Sequence, residues 1–194
     1  MIRRFLAAAA VVAALGAPCV AYAAEYTLDP NHTQAEFTVV HLAISQVRGQ
    51  IPVTSGTMEI GPGDLPSAIS ATLSAKDLDT HSADRDKELR GDDWFAIERY
   101  PTITFVAKKI EGTAQAFTVS GDLTMHGVTK PVTLSGKMLG KMTDGRNRAH
   151  LGYVAATTVD RRDWGLNWGK TTPGGALIAA YDVAINLNVE AVAR

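Results

Sequence analysis

A single cysteine, Cys19, lies within the first two dozen residues, and none follows it. The rest of the chain therefore has no disulfide and no thiolate metal ligand, whatever its redox compartment. Basic residues are also in short supply. Beyond Arg3 and Arg4, 17 lysines and arginines face 20 aspartates and glutamates, a net charge near −3. That balance supplies no electrostatic footprint for a nucleic-acid backbone, so no nucleic-acid partner is expected. Past residue 23 no apolar run approaches the roughly 20 residues of a membrane-spanning helix. A Gly-x-Ser-x-Gly elbow is missing, and Ser55-Gly56 and Ser135-Gly136 read as turn or bulge sites. His32, His41, His81, His126 and His150 share no metal-ligand spacing such as His-x-x-x-His. No metal, no cofactor and no catalytic residue is expected.

What the chain does have begins with an export signature. Arg3 and Arg4 precede an unbroken apolar stretch from Phe5 to Leu15, and Ala21-Tyr22-Ala23 places small residues at −3 and −1. This layout predicts a signal peptide over 1–23 and a mature chain that starts at Ala24. Phe5 directly after the arginine pair spoils twin-arginine spacing, and Pro18 before Cys19 argues against a lipoprotein signal. Residues 24–194 then form one domain, long enough to bury most of its apolar surface.

Within that domain, period-two alternation dominates. Ala35, Phe37, Val39 and His41 share one strand face, with Glu36 and Thr38 on the other. Ile103, Phe105 and Ala107 repeat the pattern, as do Phe117, Val119, Gly121, Leu123 and Met125, and then Tyr181, Val183, Ile185, Leu187 and Val189. One wet face per strand marks antiparallel pairing and an all-β fold. Gly61-Pro62-Gly63-Asp64, Glu111-Gly112, His126-Gly127 and Asp144-Gly145-Arg146-Asn147 supply turn chemistry between the runs. About eight long strands joined by short hairpins favour an antiparallel up-and-down barrel, which leaves no open edge, over a sandwich. One segment departs from the pattern. Ser82 to Arg90 reads as a short helix with Gly91 as its stop, and Asp92 to Ile97 as a further turn. Inserted between the third and fourth strands, it would close one barrel end with Leu89, Trp94 and Phe95 facing inward.

Five segments in series resemble the YceI-like family, the lipid- or polyisoprenoid-binding proteins of bacterial periplasms. They are Tyr26-Thr27-Leu28-Asp29 with His32, Phe37, Val39 and His41; Leu78-Asp79-Thr80 through Arg85-Asp86, Leu89-Arg90 and Asp93-Trp94-Phe95; Tyr100 to Phe105; Gly121 to Lys130; and Arg162 to Leu166. Trp94 and Trp164 stand where the family more often has phenylalanine, and His126 occupies a variable position. The resemblance implies a lipocalin-like eight-stranded barrel, a pore-like apolar cavity, an isoprenoid-type ligand, a periplasmic location and a homodimer.

An eight-stranded barrel is just wide enough to be filled by side chains or to hold one ligand. Small inward residues, notably Ala35, Ala71, Ala75, Ala107, Gly121 and Ala155, favour the open alternative. The expected cavity wall is Phe37, Val39, His41, Phe95, Ile103, Phe105, Leu123, Met125, Trp164, Tyr181 and Val183. Asp79 and Arg85 are the head-group candidates, although both also suit a structural role, Asp79 in satisfying a polar loop and Arg85 in anchoring the insertion. The expected function is carriage of a long-chain lipid rather than catalysis. The alternatives are an enzyme acting on an isoprenoid or quinone and a ligand-free module that works through its surface.

Overall fold

The alternating segments pair as their periodicity requires. The computed structural model describes residues 24–194, and the expected signal peptide lies outside them. Ten antiparallel strands are present: β1 (Ala24–Leu28), β2 (Gln34–His41), β3 (Ser45–Gln50), β4 (Val53–Ile60), β5 (Pro66–Ser74), β6 (Thr102–Thr113), β7 (Ala116–Met125), β8 (Val128–Thr143), β9 (Ala149–Asp160) and β10 (Ala179–Ala193). They build a closed eight-stranded barrel because two barrel strands are broken into halves. β1 runs along the C-terminal end of β10, with Leu28 opposite Ala191, and β2 along its first half, with Phe37 opposite Ile185. β3 and β4 are interrupted at Ile51-Pro52, where proline lacks the N–H that a ladder needs. β4 to β10 follow in chain order, and β1 closes the ring by pairing with both β4 and β10.

The turns obey local chemistry. His126 and Gly127 both take positive φ (51° and 74°) between Met125 and Val128, a two-residue hairpin whose twist matches the strands it joins. At Asp144 the carboxylate accepts the backbone N–H groups of Arg146 and Arg148, each at 2.9 Å, which fixes the β8–β9 turn. The turn expected at Glu111-Gly112 lies further on, at Ala114-Gln115, since Thr113 still pairs with Ala116. Gly112 adopts φ 117° while opposite Phe117, so its missing side chain relieves crowding inside the ladder instead of turning the chain.

The helix α1 (Ala83–Arg90) stands between β5 and β6, the third and fourth barrel strands. The following stretch is a tight turn and not more helix: the N–H groups of Trp94 and Ala96 both donate to the Gly91 carbonyl. Two buried clusters occupy the two ends. The lower, by the β4–β5, β6–β7 and β8–β9 turns, includes Leu28, Met58, Phe117, Leu151, Tyr153 and Ala191. The upper, by α1 and the segment after β9, includes Leu78, Ile103, Met125, Val159, Trp164 and Leu166.

Candidate ligand-binding cavity

Members of both clusters line a lumen cavity of about 230 Å³. Its wall is the inward period of the strands: Ala35, Phe37 and Val39 of β2, Ala71 and Leu73 of β5, Ile103 and Phe105 of β6, Leu123 and Met125 of β7, Val183 and Ile185 of β10. Large side chains leave the lumen open because glycines beside them give the rings a place against the wall. A Cβ on Gly49 would stand 2.5 Å from the Phe37 ring, on Gly136 2.6 Å from Phe117, and on Gly121 2.7 Å from Phe105. Each ring thus lies over bare backbone, as aromatic side chains do above glycines in sheets. Ala35, Ala71 and Ala155 keep the remaining wall low. Ala75 and Ala107 do not join them and pack into the upper and lower clusters.

The insertion supplies the roof. Leu89, Trp94 and Phe95 all line the cavity, as their inward orientation predicts. They are held there by the polar residues around them. Asp86, buried, accepts from the Thr80 N–H at 2.9 Å and the Thr80 hydroxyl at 2.6 Å. Arg85 donates to the same Thr80, to its hydroxyl at 2.8 Å and its carbonyl at 2.7 Å, and Arg90 reaches the carbonyls of Lys76 and Leu78.

Eight of the eleven expected wall residues line the cavity, and His41, Trp164 and Tyr181 do not. His41 is the last residue of β2, paired with Ser45 at the hairpin and beyond the cavity's reach. Trp164 is 1 % exposed and packs in the upper cluster behind the wall. Its indole N–H donates to the Leu123 carbonyl at 3.0 Å, and its own carbonyl is hydrogen-bonded to His126 Nδ1 at 2.9 Å. For Tyr181 the register is responsible. Pairing of β10 with β2 shifts between Ala179 and Val183, and there the Tyr181 ring lies against the Arg161 and Arg162 guanidinia and not on the lumen wall. Asp79 and Arg85, the expected head-group candidates, stand apart from the cavity wall. Asp79 bridges Gln50 through its backbone and accepts the His81 N–H at 2.7 Å. Arg85 donates from Nε and Nη2 to Thr80. Neither lines the cavity.

One functional candidate escaped the sequence reading. Arg161, just after β9, lines the cavity although it is only 3 % exposed. Its guanidinium donates to the carbonyls of Leu166, Trp168 (2.6 Å), Ala179 and Ala180 (3.1 Å each). It lies between the Trp94 and Tyr181 rings, 5.0 and 4.9 Å from their centroids, and Arg162 covers Tyr181 at 4.1 Å. Burial holds Arg161 below the ordinary guanidinium value. Arg161 becomes a cavity residue only through the return of the chain over it, from Leu166 to Ala180.

A second polar group forms at the lower end, where the chain bends between β1 and β2. Asp29, His32 and Glu190 bring their ligating atoms within 4.8 Å of one another, a grouping invisible in linear spacing. His32 Nδ1 contacts Asp29 at 2.9 Å, and His150 bridges Glu190 at 2.7 Å and Asp144 at 3.3 Å. Hydrogen bonds to these carboxylates raise both imidazoles above their ordinary value, His32 chiefly through Asp29 and His150 chiefly through Glu190. Tyr153, on the lower wall, donates to the Asp64 carbonyl at 2.7 Å, and burial pushes its phenol up.

The geometry is that of an apolar lumen between two packed clusters, and its relatives share the frame. The model of the YceI-like domain matches residues 26–191. The UPF0312 protein of Pseudomonas paraeruginosa is 32 % identical, with 99 % of each chain covered. BcnA of Burkholderia cenocepacia superposes with a TM-score of 0.70 at 17 % identity, over 84 % of this chain and 98 % of that one. A polyisoprenoid-binding domain of Saccharophagus degradans, implicated in plant cell wall breakdown, gives 0.60 at 15 % identity, over 87 % and 98 %. No helix among the described residues is long and apolar enough to cross a membrane. From Tyr26 to Ala191, this chain belongs to the YceI-like family.

Proposed function

We propose that the protein is an exported, periplasmic carrier that holds one long-chain isoprenoid-type lipid in its lumen and performs no chemistry on it. The observation that carries this reading is the cavity wall. Nearly every side chain that lines it is aliphatic or aromatic, and the wall spans the space between two packed clusters. Such a wall offers a lipid chain what water does not. Each buried methylene is worth about 0.8 kcal/mol, so a dozen supply roughly 10 kcal/mol against the cost of immobilisation. The name of the Saccharophagus neighbour as a polyisoprenoid-binding domain supports the ligand class. The signal-peptide pattern of residues 1–23 supports export and a mature start at Ala24. The test is organic extraction of protein purified from its native compartment, followed by mass spectrometry. A stoichiometric long-chain lipid is expected. An empty extract, or turnover of the extracted lipid on incubation, would overturn the carrier reading.

A further inference from the structure

The upper end of the lumen contains a buried charge that is not directly paired. Arg161 is buried, lines the apolar cavity and forms no direct salt bridge among the described residues, since the adjacent acid, Asp160, is held by Arg162 at 2.5 Å. Its four hydrogen bonds all go to backbone carbonyls. Carbonyl dipoles solvate a guanidinium but do not neutralise it, and a buried cation left in that state is costly. Two of the four carbonyls, those of Leu166 and Trp168, belong to the segment between Asp160 and Ala179, which carries no long strand or helix.

A second, independent observation falls at the same place. Trp94 also lines the cavity, and its indole N–H is buried with no hydrogen-bond partner, the one such side-chain atom among the described residues. Buried donors in native proteins are almost always satisfied, so an orphan beside a ligand cavity points to a missing acceptor. The two groups are neighbours. The guanidinium stacks on the Trp94 ring at 5.0 Å, and Trp168 covers Trp94 with ring centroids 5.1 Å apart. The segment that supplies the carbonyls to Arg161 is thus also the segment that covers Trp94.

We propose that Arg161, with the Trp94 indole N–H, is the head-group site of the lumen and selects single-chain lipids that end in an anionic oxygen, a carboxylate or a phosphate monoester. The proposal rests on the lipid-binding reading above. In the ligand-free arrangement the carbonyls of Leu166 and Trp168 occupy the guanidinium. An anionic head group takes their place, because it neutralises the buried guanidinium as well as accepting its hydrogen bonds, which carbonyl dipoles do not. The chain lies along the apolar wall, and the Trp168 segment moves aside at the head-group end only.

The test compares chain-matched pairs on delipidated protein: geranylgeranyl monophosphate against geranylgeraniol, and hexadecanoate against hexadecanol, by competition with a fluorescent fatty alcohol. The phosphate and the carboxylate are expected to bind about tenfold or more tightly than the alcohols. Trp94→Phe keeps the ring and removes the N–H, and should narrow that gap without weakening the alcohols. Arg161→Gln should abolish it. Because Arg161→Gln also cuts ties that hold the roof, the comparison on the unaltered protein decides by itself. Equal affinity for anion and alcohol overturns the head-group site and leaves the lipid lumen standing. A preference that survives both substitutions places the anion elsewhere and overturns the proposal as well. Failure of all four probes to bind overturns the carrier reading itself.

Discussion

The two ends of the barrel are closed by different means. At the lower end the strands finish the job themselves: short turns bring Leu28, Met58, Phe117, Leu151 and Ala191 together, with Ala191 fully buried. At the upper end inserted chain does the closing. α1 and its following turn contribute Leu89, Trp94 and Phe95, and the segment after β9 contributes Arg161, Trp164 and Leu166. The strand-built end is tied by the continuous hydrogen-bond ladder of a closed barrel. The inserted end is tied by side-chain bonds to carbonyls, from Arg85, Arg90 and Arg161. Elements joined by few contacts open at lower free energy than ladder-bound ones. Passage therefore costs least in conformational terms at the upper end, the one where Arg161 lines the lumen.

The largest expected effect follows from the residue that locks the upper end. Trp164→Ala removes a fully buried indole and leaves the Leu123 carbonyl without its donor. A loss of about 3–5 kcal/mol is expected by chemical denaturation, in the range for large-to-small changes in a core. A loss below about 1 kcal/mol would mean that the upper cluster is not a packed core.

A matched pair of overpacking changes comes next in size. Leu151 is 2 % exposed in the lower cluster and does not line the cavity, whereas Leu123 faces the cavity from β7. Leu151→Trp should cost about 1–3 kcal/mol or more, because the space is already filled. Leu123→Trp should cost less than about 1 kcal/mol and weaken lipid binding at least tenfold by filling the lumen. Both are measured on delipidated protein, so that bound ligand does not add its own stabilisation. A large stability loss with unchanged lipid affinity at Leu123 would make the lumen solid.

A smaller effect is expected at the roof's anchor. Asp86→Asn keeps the shape but replaces a charged acceptor for the Thr80 N–H and hydroxyl with a neutral one. About 1 kcal/mol should be lost, and faster hydrogen exchange should be confined to α1 and the turn after it. Exchange that accelerates equally in β1 and β10 would erase the distinction between the ends.

The same contrast explains what was legible in the sequence. Period two identified the lumen face, since Phe37, Val39, Ile103, Phe105, Leu123, Met125 and Val183 all lie where alternation puts them. Phe95 was legible for another reason, as an aromatic just past a helix stop. The failures concentrate at the upper end. Tyr181 was assigned by extending alternation through a register shift that no residue type announces. Trp164 is a wall residue by aromaticity alone, but its indole N–H needs a carbonyl, and finding one at Leu123 turned it behind the wall. Arg161 could not be chosen over Arg162, because which of two adjacent arginines is covered depends on a segment that returns from Ala179. Linear spacing also hid the contact of Asp29 and His32 with Glu190, which depends on the register between β1 and β10.

The smallest effect belongs to the lower end and comes from pH. His150 is bridged by Glu190 and Asp144, and these bonds raise its folded value above the ordinary 6.5. His32 is raised in the same direction by Asp29. A group whose folded value is raised stabilises the protein fully below its unfolded value and loses that contribution as pH rises through the folded one. The carboxylates behave oppositely: hydrogen bonds to Arg148 lower Asp144 and those to His32 lower Asp29, so their contribution is lost only in acid. Between pH 6 and pH 8 the histidines alone of these four groups change charge, and Tm should fall modestly across that interval. His150→Gln should flatten part of the slope and the double change with His32→Gln more of it, while Asp86→Asn, at the other end, lowers Tm by the same amount at both pH values. An unchanged slope in the double variant would show that the lower cluster does not couple its protons to folding.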